Sequence, residues 1–258
     1  MLEIIIVSVV AFFASFLTLF SGFGLGTLLM PVVALFFPLE VAIGMTAIVH
    51  LANNLFKVAI LGKQAVKQVL IRFGVAAVMA AFIGAWVLGL LAQSGEPIKY
   101  VFLNQNMQTS VLNITVGALI LVFVLLEFSK KFSSIMLGPK YLPLGGIVSG
   151  FFGGLSGHQG AFRSMFLLKA GLTKQQFVAT GVMVAVMVDM ARLTIYGKDL
   201  AENYQSINWN MVIAASLAAF IGAYLGKRLL QKITIKTVHL IVSLLLIFVA
   251  IGLMIGAI

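Results

Sequence analysis

Five polar residues lie along an apolar stretch in the first half of the chain. They are Thr46, His50, Asn53, Asn54 and Lys57, and the last four are spaced i, i+3, i+4 and i+7. In a helix this spacing aligns the side chains on one face. These groups could line the path of an anion, and His50 could carry a coupled proton because imidazole titrates near neutral pH. The alternative for His50 is a hydrogen-bonded packing role.

A charged pair, Asp189 and Arg192, lies one helical turn apart in the second half of the chain. Residues at this spacing share a helix face. The pair could line the same path, or it could be a structural ion pair or extend toward a helix end. For Lys57, too, the alternative to ligand contact is a side chain that extends to the inner membrane surface.

Two glycine-rich segments could bring backbone donors to a small anion. The first contains Ser21, Gly22, Gly24 and Gly26, and the second contains Ser156, Gly157 and Gly160. Glycine lets the backbone come close to a ligand, and a helix that follows offers unpaired N–H groups and the positive end of a dipole. The alternative is that these glycines only permit close packing of helices.

Three polar side chains distinguish the second glycine-rich segment, namely His158, Gln159 and Arg163. The guanidinium group of Arg163 is a planar fork of donors that matches sulfite, sulfonate or carboxylate, and the other two side chains supply further donors. Arg163 could instead reach lipid headgroups. The two glycine-rich segments are therefore the predicted substrate-binding site.

Membrane-spanning helices must position these residues. Of the 258 residues, 62% are hydrophobic and 9% are charged, with a mean hydropathy of +1.15, whereas soluble domains are about 45–50% apolar and about 25% charged. Seven apolar segments approach the ~20 residues of a bilayer-spanning helix, at 4–20, 41–61, 70–92, 109–128, 177–196, 210–230 and 237–257. The stretches 22–37, 141–155 and 156–171 are shorter and are predicted to be short, re-entrant or broken helices. Short polar loops are predicted at 62–69, 93–108, 129–140 and 197–208.

The chain contains an internal duplication. Ser21-Gly22 recurs as Ser156-Gly157, and Gly62-Lys63 recurs as Gly197-Lys198, both at an offset of 135 residues. The hexapeptide Ala-Ala-Phe-Ile-Gly-Ala occurs at 80–85 and again at 218–223. At the offset of 135 residues, Asp189 and Arg192 correspond to Asn54 and Lys57.

The charge distribution predicts that the two copies have opposite orientations. Lys63 and Lys67 follow the long helix of the first copy, whereas acidic residues, Asp199 and Glu202, accompany Lys198 in the second. Because basic loops stay on the cytoplasmic side, the equivalent loops are predicted to lie on opposite sides of the membrane.

The predicted fold class is all-α, a polytopic transmembrane helical bundle. It would comprise two inverted repeats of about five segments each, with short or broken helices at the glycine-rich segments. Residues 1–128 would form the first repeat, 129–140 a cytoplasmic connecting loop, and 141–258 the second, inverted repeat. We expect a multi-pass protein of the inner (plasma) membrane.

The sequence also argues against several other functions. It contains no polar stretch long enough for a soluble catalytic domain and no HExxH motif, and its three His with no Cys give no convincing metal set. We therefore predict no catalytic residue, no metal and no cofactor. The formal charge of +10 is assigned to loops that meet anionic lipid rather than to nucleic-acid binding. The expected partners are a small-molecule anion and membrane lipid, with homo-oligomer formation left open.

The chain resembles the TauE/SafE family of sulfite and organosulfonate exporters, also called the transmembrane sulfur-compound transporter family. The resemblance rests on Ser21-Gly22-Phe23-Gly24-Leu25-Gly26 followed by Pro31, on the second copy at 150–160, and on the repeated hexapeptide. It spans nearly the whole chain and implies transport of sulfur-containing anions such as sulfite, sulfoacetate or thiosulfate. The commoner second signature continues with several glycines. This sequence departs from it at His158-Gln159 and at 161–164, which implies a more polar site.

The predicted function is secondary transport of a small oxyanion, sulfite or an organosulfonate or another sulfur-containing anion. Alternating access would come from movement of one repeat against the other, with proton coupling as an option. Two alternatives are a passive anion channel and a non-transporting membrane scaffold, whose polar residues would join helices and which would assemble with a partner.

Overall fold

The computed structural model describes residues 1–21, 25–102, 105–129, 137–168, 170–202, 204–229 and 236–257. Within these residues, ten helices dominate the structure. In chain order they are α1 (Leu2–Ser21), α2 (Leu25–Val33), α3 (Leu39–Leu61), α4 (Lys67–Ala92), α5 (Val111–Phe128), α6 (Leu142–Ser156), α7 (Gly160–Leu167), α8 (Lys174–Glu202), α9 (Trp209–Leu229) and α10 (Lys236–Met254). The all-α architecture predicted from the sequence is confirmed.

Helix length and surface composition fit a bilayer. Among the described residues, α3, α4, α8 and α9 each contain a stretch long and apolar enough to cross a membrane, and Leu2–Leu17 and Val111–Leu126 form shorter apolar helices. Large apolar side chains lie on the outer faces of α4 and α9, including Met79, Trp86 and Leu217, each more than half exposed. Such faces are stable in lipid, where no water opposes their exposure. The protein is therefore a multi-pass membrane protein.

The second glycine-rich segment breaks the helical path as predicted. Helix α6 ends at Ser156, and α7 begins at Gly160. Between them, Gly157 adopts a left-handed conformation with φ of +79°, and its N–H donates to the Gly153 carbonyl at 3.0 Å. Left-handed backbone is favourable for glycine and strained for other residues. The first segment separates α1 from α2, and its residues 22–24 lie outside the described residues.

Two predicted loops contain more regular structure than expected. At the predicted loop 93–108, the strand β1 (Ile98–Phe102) pairs antiparallel with the strand β2 (Gln105–Thr109), with Ile98 opposite Thr109. β1 is rich in β-branched and aromatic residues, which favour strands. Helix α8 continues through Glu202 into the predicted loop 197–208 because residues 198–202 are mostly good helix formers without proline. Most of the predicted loop 129–140 lies outside the described residues.

The two halves of the chain pack against each other reciprocally. The first helix of each half contacts the fourth helix of the other, so that α1 packs on α9 and α6 packs on α4. The third helices, α3 and α8, contact each other, and so do the fifth helices, α5 and α10. This reciprocal pattern is the one expected of two similar halves, and the repeat organisation stays a prediction. The orientation of each half in the membrane stays a prediction.

The repeated hexapeptides take part in this packing. A Cβ atom at Gly84, in the first copy, would overlap the Phe151 carbonyl oxygen of α6, and a Cβ atom at Gly222, in the second copy, would overlap the Phe12 carbonyl oxygen of α1. Small residues allow such close approach of membrane helices. Each hexapeptide therefore fixes a contact with the opposite half of the chain.

Candidate functional site

Helix α3 carries the predicted polar face into the protein interior. Thr46, His50, Asn53, Asn54 and Lys57 are all buried, and the most exposed of them retains 5% of its accessible surface. Because α3 packs against α8, this polar face meets polar residues of the second half. Polar groups inside a membrane bundle are costly unless they have partners, and they are candidates for function.

Asp189 is the centre of the contact between α3 and α8. The Nδ1–H group of His50 donates to Asp189 Oδ2 at 2.6 Å, and the Nδ2 group of Asn54 donates to the same oxygen at 3.2 Å. From one turn along α8, Arg192 Nε donates to Asp189 Oδ1 at 3.1 Å. Asp189 and Arg192 thus form a buried ion pair, and the alternative in which they extend toward a helix end is wrong because both are almost fully buried.

Lys57 and Arg163 are also buried, with 3% and 8% of their surface exposed. The Lys57 Nζ atom lies 3.5 Å from the carbonyl oxygen of Ser15 in α1. Arg163 packs at Gly181 of α8, where a Cβ atom would lie 3.3 Å from its Nε, and it interacts electrostatically with Asp189. The alternatives in which these side chains extend to the membrane surface are therefore wrong.

The two glycine-rich segments meet in the interior. A Cβ atom at Gly26, near the start of α2, would lie 3.7 Å from the Gly157 carbonyl oxygen, 3.7 Å from His50 Cδ2 and 3.8 Å from Thr46 Cγ2. A Cβ atom at Gly157 would lie 2.8 Å from Arg192 Nη1. The backbone of both segments therefore adjoins the polar groups of α3 and α8.

The turn between α6 and α7 presents two buried polar side chains. His158 Nδ1–H donates to the Ser156 carbonyl at 3.0 Å, and the ring stacks on Phe123 with a centroid separation of 5.5 Å. Gln159 is fully buried, and its backbone carbonyl accepts a hydrogen bond from Ser149 Oγ at 3.0 Å. These contacts fix the turn while leaving the Gln159 amide and the second ring nitrogen of His158 free of hydrogen bonds within the described residues.

Other predicted site residues take positions around this turn. The Ser156 hydroxyl donates to the Phe152 carbonyl at 3.3 Å, within its own helix. Gly160 is the first residue of α7, and its carbonyl accepts from Ser164 Oγ at 2.9 Å. Ser21 ends α1, but its side chain, like Gly22 and Gly24, lies outside the described residues. The structure thus brings most of the predicted set together and leaves the first segment undescribed.

Three residues at this centre were missed by the sequence reasoning. Ser15 Oγ donates to Asn53 Oδ1 at 2.8 Å, Tyr196 OH donates to the Gly154 carbonyl, and Phe123 stacks on His158. Tyr196 lies one turn after Arg192 on α8, so helical spacing could have identified it. Ser15 and Phe123 lie in apolar helices without a distinguishing pattern.

Cationic side chains predominate among the buried charged residues of this centre. Among the described residues, the buried charged side chains are the cationic Lys57, Arg163 and Arg192 and the single carboxylate of Asp189. Within the same residues, Thr46 Oγ1 and Asn53 Nδ2 are further buried polar atoms without a hydrogen-bond partner. An excess of positive charge with unused donors suits an anion. No group of three His, Cys, Asp or Glu residues in the described ranges could hold a metal ion.

The fold and this centre define a multi-pass membrane protein with a buried, positively charged polar centre between two packed halves. The profile of the sulfite exporter TauE/SafE family matches residues 7–253, nearly the whole chain, and the protein belongs to this family. The family is one of membrane transporters for sulfite and related sulfur-containing anions. No curated protein and no solved structure matches the chain.

Proposed function

We propose that the protein is a secondary transporter of a small oxyanion, sulfite or an organosulfonate. The observation that carries this proposal is the excess of buried positive charge. Among the described residues, the buried charged side chains are three cationic ones, Lys57, Arg163 and Arg192, and one carboxylate, Asp189. A small anion suits such a centre, because guanidinium and ammonium groups donate charge-assisted hydrogen bonds to anionic oxygens.

The binding site would form where the two glycine-rich segments meet. Gly26 and Gly157 bring their backbones together beside His50 and Arg192, so a small anion there could contact both halves of the chain. Arg192 and Arg163 would orient the anion through charged hydrogen bonds, and Asn53 and Thr46 would line its path. The proposed binding site also includes Ser21, Gly22 and Gly24, because they are part of the first glycine-rich segment.

Alternating access would come from movement of one repeat against the other. The reciprocal contacts of α1 with α9 and of α4 with α6 support two similar units, and inverted repeats of this kind place a substrate near the membrane midplane, at broken helices. The inverted orientation, with 1–128 and 141–258 as repeats in the inner membrane, is part of the proposal.

Proton coupling would use His50 and Asp189, which share a 2.6 Å hydrogen bond at the centre. A proton and an anion could then cross together, since protonation of this pair would add positive charge beside the anion. Transport in proteoliposomes should respond to an imposed pH gradient, and His50→Gln should abolish that response. Equal uptake with and without the gradient in the wild-type protein would rule out coupling.

The direct test of the function is anion flux into proteoliposomes containing the purified protein. We expect saturable uptake of sulfite or an organosulfonate, strongly reduced in Arg163→Ala and unchanged in Arg228→Ala, whose exposed arginine contacts Tyr224 at the surface. A non-saturating current would indicate a channel, and no flux of any anion would indicate a scaffold. Unchanged transport in correctly inserted Arg163→Ala would disprove the role of Arg163.

A further inference from the structure

The side chain of Gln159 is completely buried and has both kinds of hydrogen-bonding atom unused. Neither its Nε2 nor its Oε1 has a partner within the described residues, although its surface exposure is 0%. Burying an amide without hydrogen bonds is unfavourable. A buried amide that is left unsatisfied in this way is a candidate for contact with a ligand.

The position of Gln159 is fixed by its surroundings. A Cβ atom at Gly153 would lie 3.0 Å from Gln159 Cβ and 2.9 Å from Val188 Cγ1, so the amide-bearing side chain lies between α6 and α8. Val188 directly precedes Asp189, and Gly157, two residues before Gln159, adjoins Arg192. The Gln159 side chain therefore packs tightly beside the segment of α8 that carries Asp189 and Arg192.

The amide oxygen of Gln159 needs a hydrogen-bond donor, and a fully deprotonated oxyanion has none. A fully deprotonated inorganic oxyanion has only acceptor oxygens, which can pair with Nε2 but not with Oε1. Exchange of the amide N and O positions does not alter this, because one acceptor is left in either orientation. Only a group with an O–H or N–H bond can pair with the oxygen of Gln159.

His158 adds a second acceptor next to the first. Its Nδ1–H group donates to the Ser156 carbonyl, and in a neutral imidazole the other nitrogen, Nε2, is then an acceptor. That nitrogen is also buried and has no partner within the described ranges. Two adjacent residues thus offer unused acceptors beside a centre that otherwise offers donors.

We infer that Gln159, assisted by His158, recognises a hydrogen-bond donor on the transported anion, so that the preferred substrate carries an O–H or N–H group as well as its anionic head. This inference rests on the proposed function and names the substrate class of the same site. Arg192 and Arg163 pair with the anionic head, and Gln159 Oε1 accepts from the donor group. A site with an unpaired buried acceptor discriminates against analogues that lack the donor.

The test compares matched anions that differ only in the donor group. Ethanesulfonate and 2-hydroxyethanesulfonate form one set, and propionate and 3-hydroxypropionate form a second. Binding to the full-length protein in detergent is measured by ligand-induced thermal stabilisation and by competition in proteoliposome flux. In at least one set, we expect the donor-bearing anion to bind about tenfold more tightly than its donor-free partner.

The variant Gln159→Met removes both hydrogen-bonding atoms at similar length. Because it replaces an unsatisfied buried amide by an apolar group, the variant should be as thermally stable as the wild type. We expect it to lose the tenfold preference, because its affinity falls more for the donor-bearing anion than for the donor-free partner. Gln175→Met, at an exposed position near the start of α8, is the matched control and should keep the preference.

The outcomes separate this inference from the proposed function. Equal affinity within every matched set, or binding only of donor-free anions such as ethanesulfonate and thiosulfate, overturns the inference and leaves the transporter intact. A preference that persists in Gln159→Met overturns the role of Gln159. If no anion binds at all, the proposed function fails, and the inference fails with it.

Discussion

The imidazole of His50 donates to the carboxylate of Asp189 across the interface between α3 and α8, at 2.6 Å. The two residues are 139 positions apart in the chain, and both are almost completely buried. This hydrogen bond joins the two halves of the duplicated sequence at their third helices. The same carboxylate also accepts hydrogen bonds from Asn54 and Arg192. Asp189 therefore links polar residues of α3 in the first half with Arg192 of α8 in the second half.

Replacement of the central carboxylate should destabilise the protein. In Asp189→Asn, the buried Arg192 loses its counter-charge, and breaking a buried ion pair in this way costs about 3–5 kcal/mol. We expect a clear fall in the melting temperature in detergent, together with loss of anion transport. Glu96→Gln, at an exposed acidic residue of the α4 to β1 connection, is the control and should change neither. A melting temperature that does not change in Asp189→Asn would show that the ion pair is not needed for stability.

The left-handed turn at Gly157 should tolerate no side chain. Gly157→Ala would strain the backbone by about 1–2 kcal/mol and would bring a Cβ atom to 2.8 Å from Arg192 Nη1. Gly171 has a similar φ of +73° but has nothing within 4 Å of an added Cβ atom. Both variants should therefore lose stability, but only Gly157→Ala should lose anion affinity, as measured by flux and by ligand-induced thermal shift. Equal affinities in the two variants would contradict the placement of Arg192 at the site.

The close contact of α4 and α6 should depend on glycine. A Cβ atom at Gly150 in α6 would overlap the carbonyl oxygen of Ala77 in α4. Gly150→Ala must therefore separate the two helices. We expect the free energy of unfolding to fall by about 1–3 kcal/mol or more and the melting temperature to fall with it. Gly89 lies in α4 and has nothing within 4 Å of an added Cβ atom. Gly89→Ala should be neutral or stabilising by up to ~1 kcal/mol, because alanine favours the helix. If Gly150→Ala matched this control, the close packing would be in doubt.

The buried ammonium group of Lys57 should matter for the ligand more than for the fold. Lys57→Met removes the charge at a similar side-chain length, and it also removes the cost of holding a charge in an apolar interior. We expect an unchanged or higher melting temperature in the absence of ligand and at least about tenfold weaker anion binding, which corresponds to 1.4 kcal/mol. Lys63→Met, at an exposed position after α3, should leave anion binding unchanged. Full anion affinity in Lys57→Met would remove Lys57 from the binding site.

Local features of the sequence predicted most of the helices. The apolar segment 41–61 corresponds to α3 at Leu39–Leu61, and 210–230 corresponds to α9 at Trp209–Leu229. These predictions succeed because helix length and hydropathy are local properties set by bilayer thickness. The hairpin at β1 and β2 was missed because ten residues of mixed polarity gave no strong period.

The polar residues of the site were predictable individually but not as a set. The spacing of His50, Asn54 and Lys57 put them on one face, whereas their contact with Asp189 depends on which helices pack together. The burial of Lys57 and Arg163 could not be predicted either, because a long cationic side chain near a helix end can point into the bundle or toward the surface. Packing of α3 against α8 and of α7 against α8 decides between these directions.

By itself the sequence determined that the protein lies in a membrane, that its structure is helical, that certain segments recur along the chain, and that polar residues lie on certain faces. Each of these follows from composition, from periodicity or from internal similarity, which are properties of neighbouring residues or of aligned segments. Only the tertiary structure decided that Gly26 meets Gly157, that His50 meets Asp189, and that Gln159 is buried without a partner for its amide in the described part of the chain. These relations arise between residues far apart in the chain, and close packing of the helices is what brings them together.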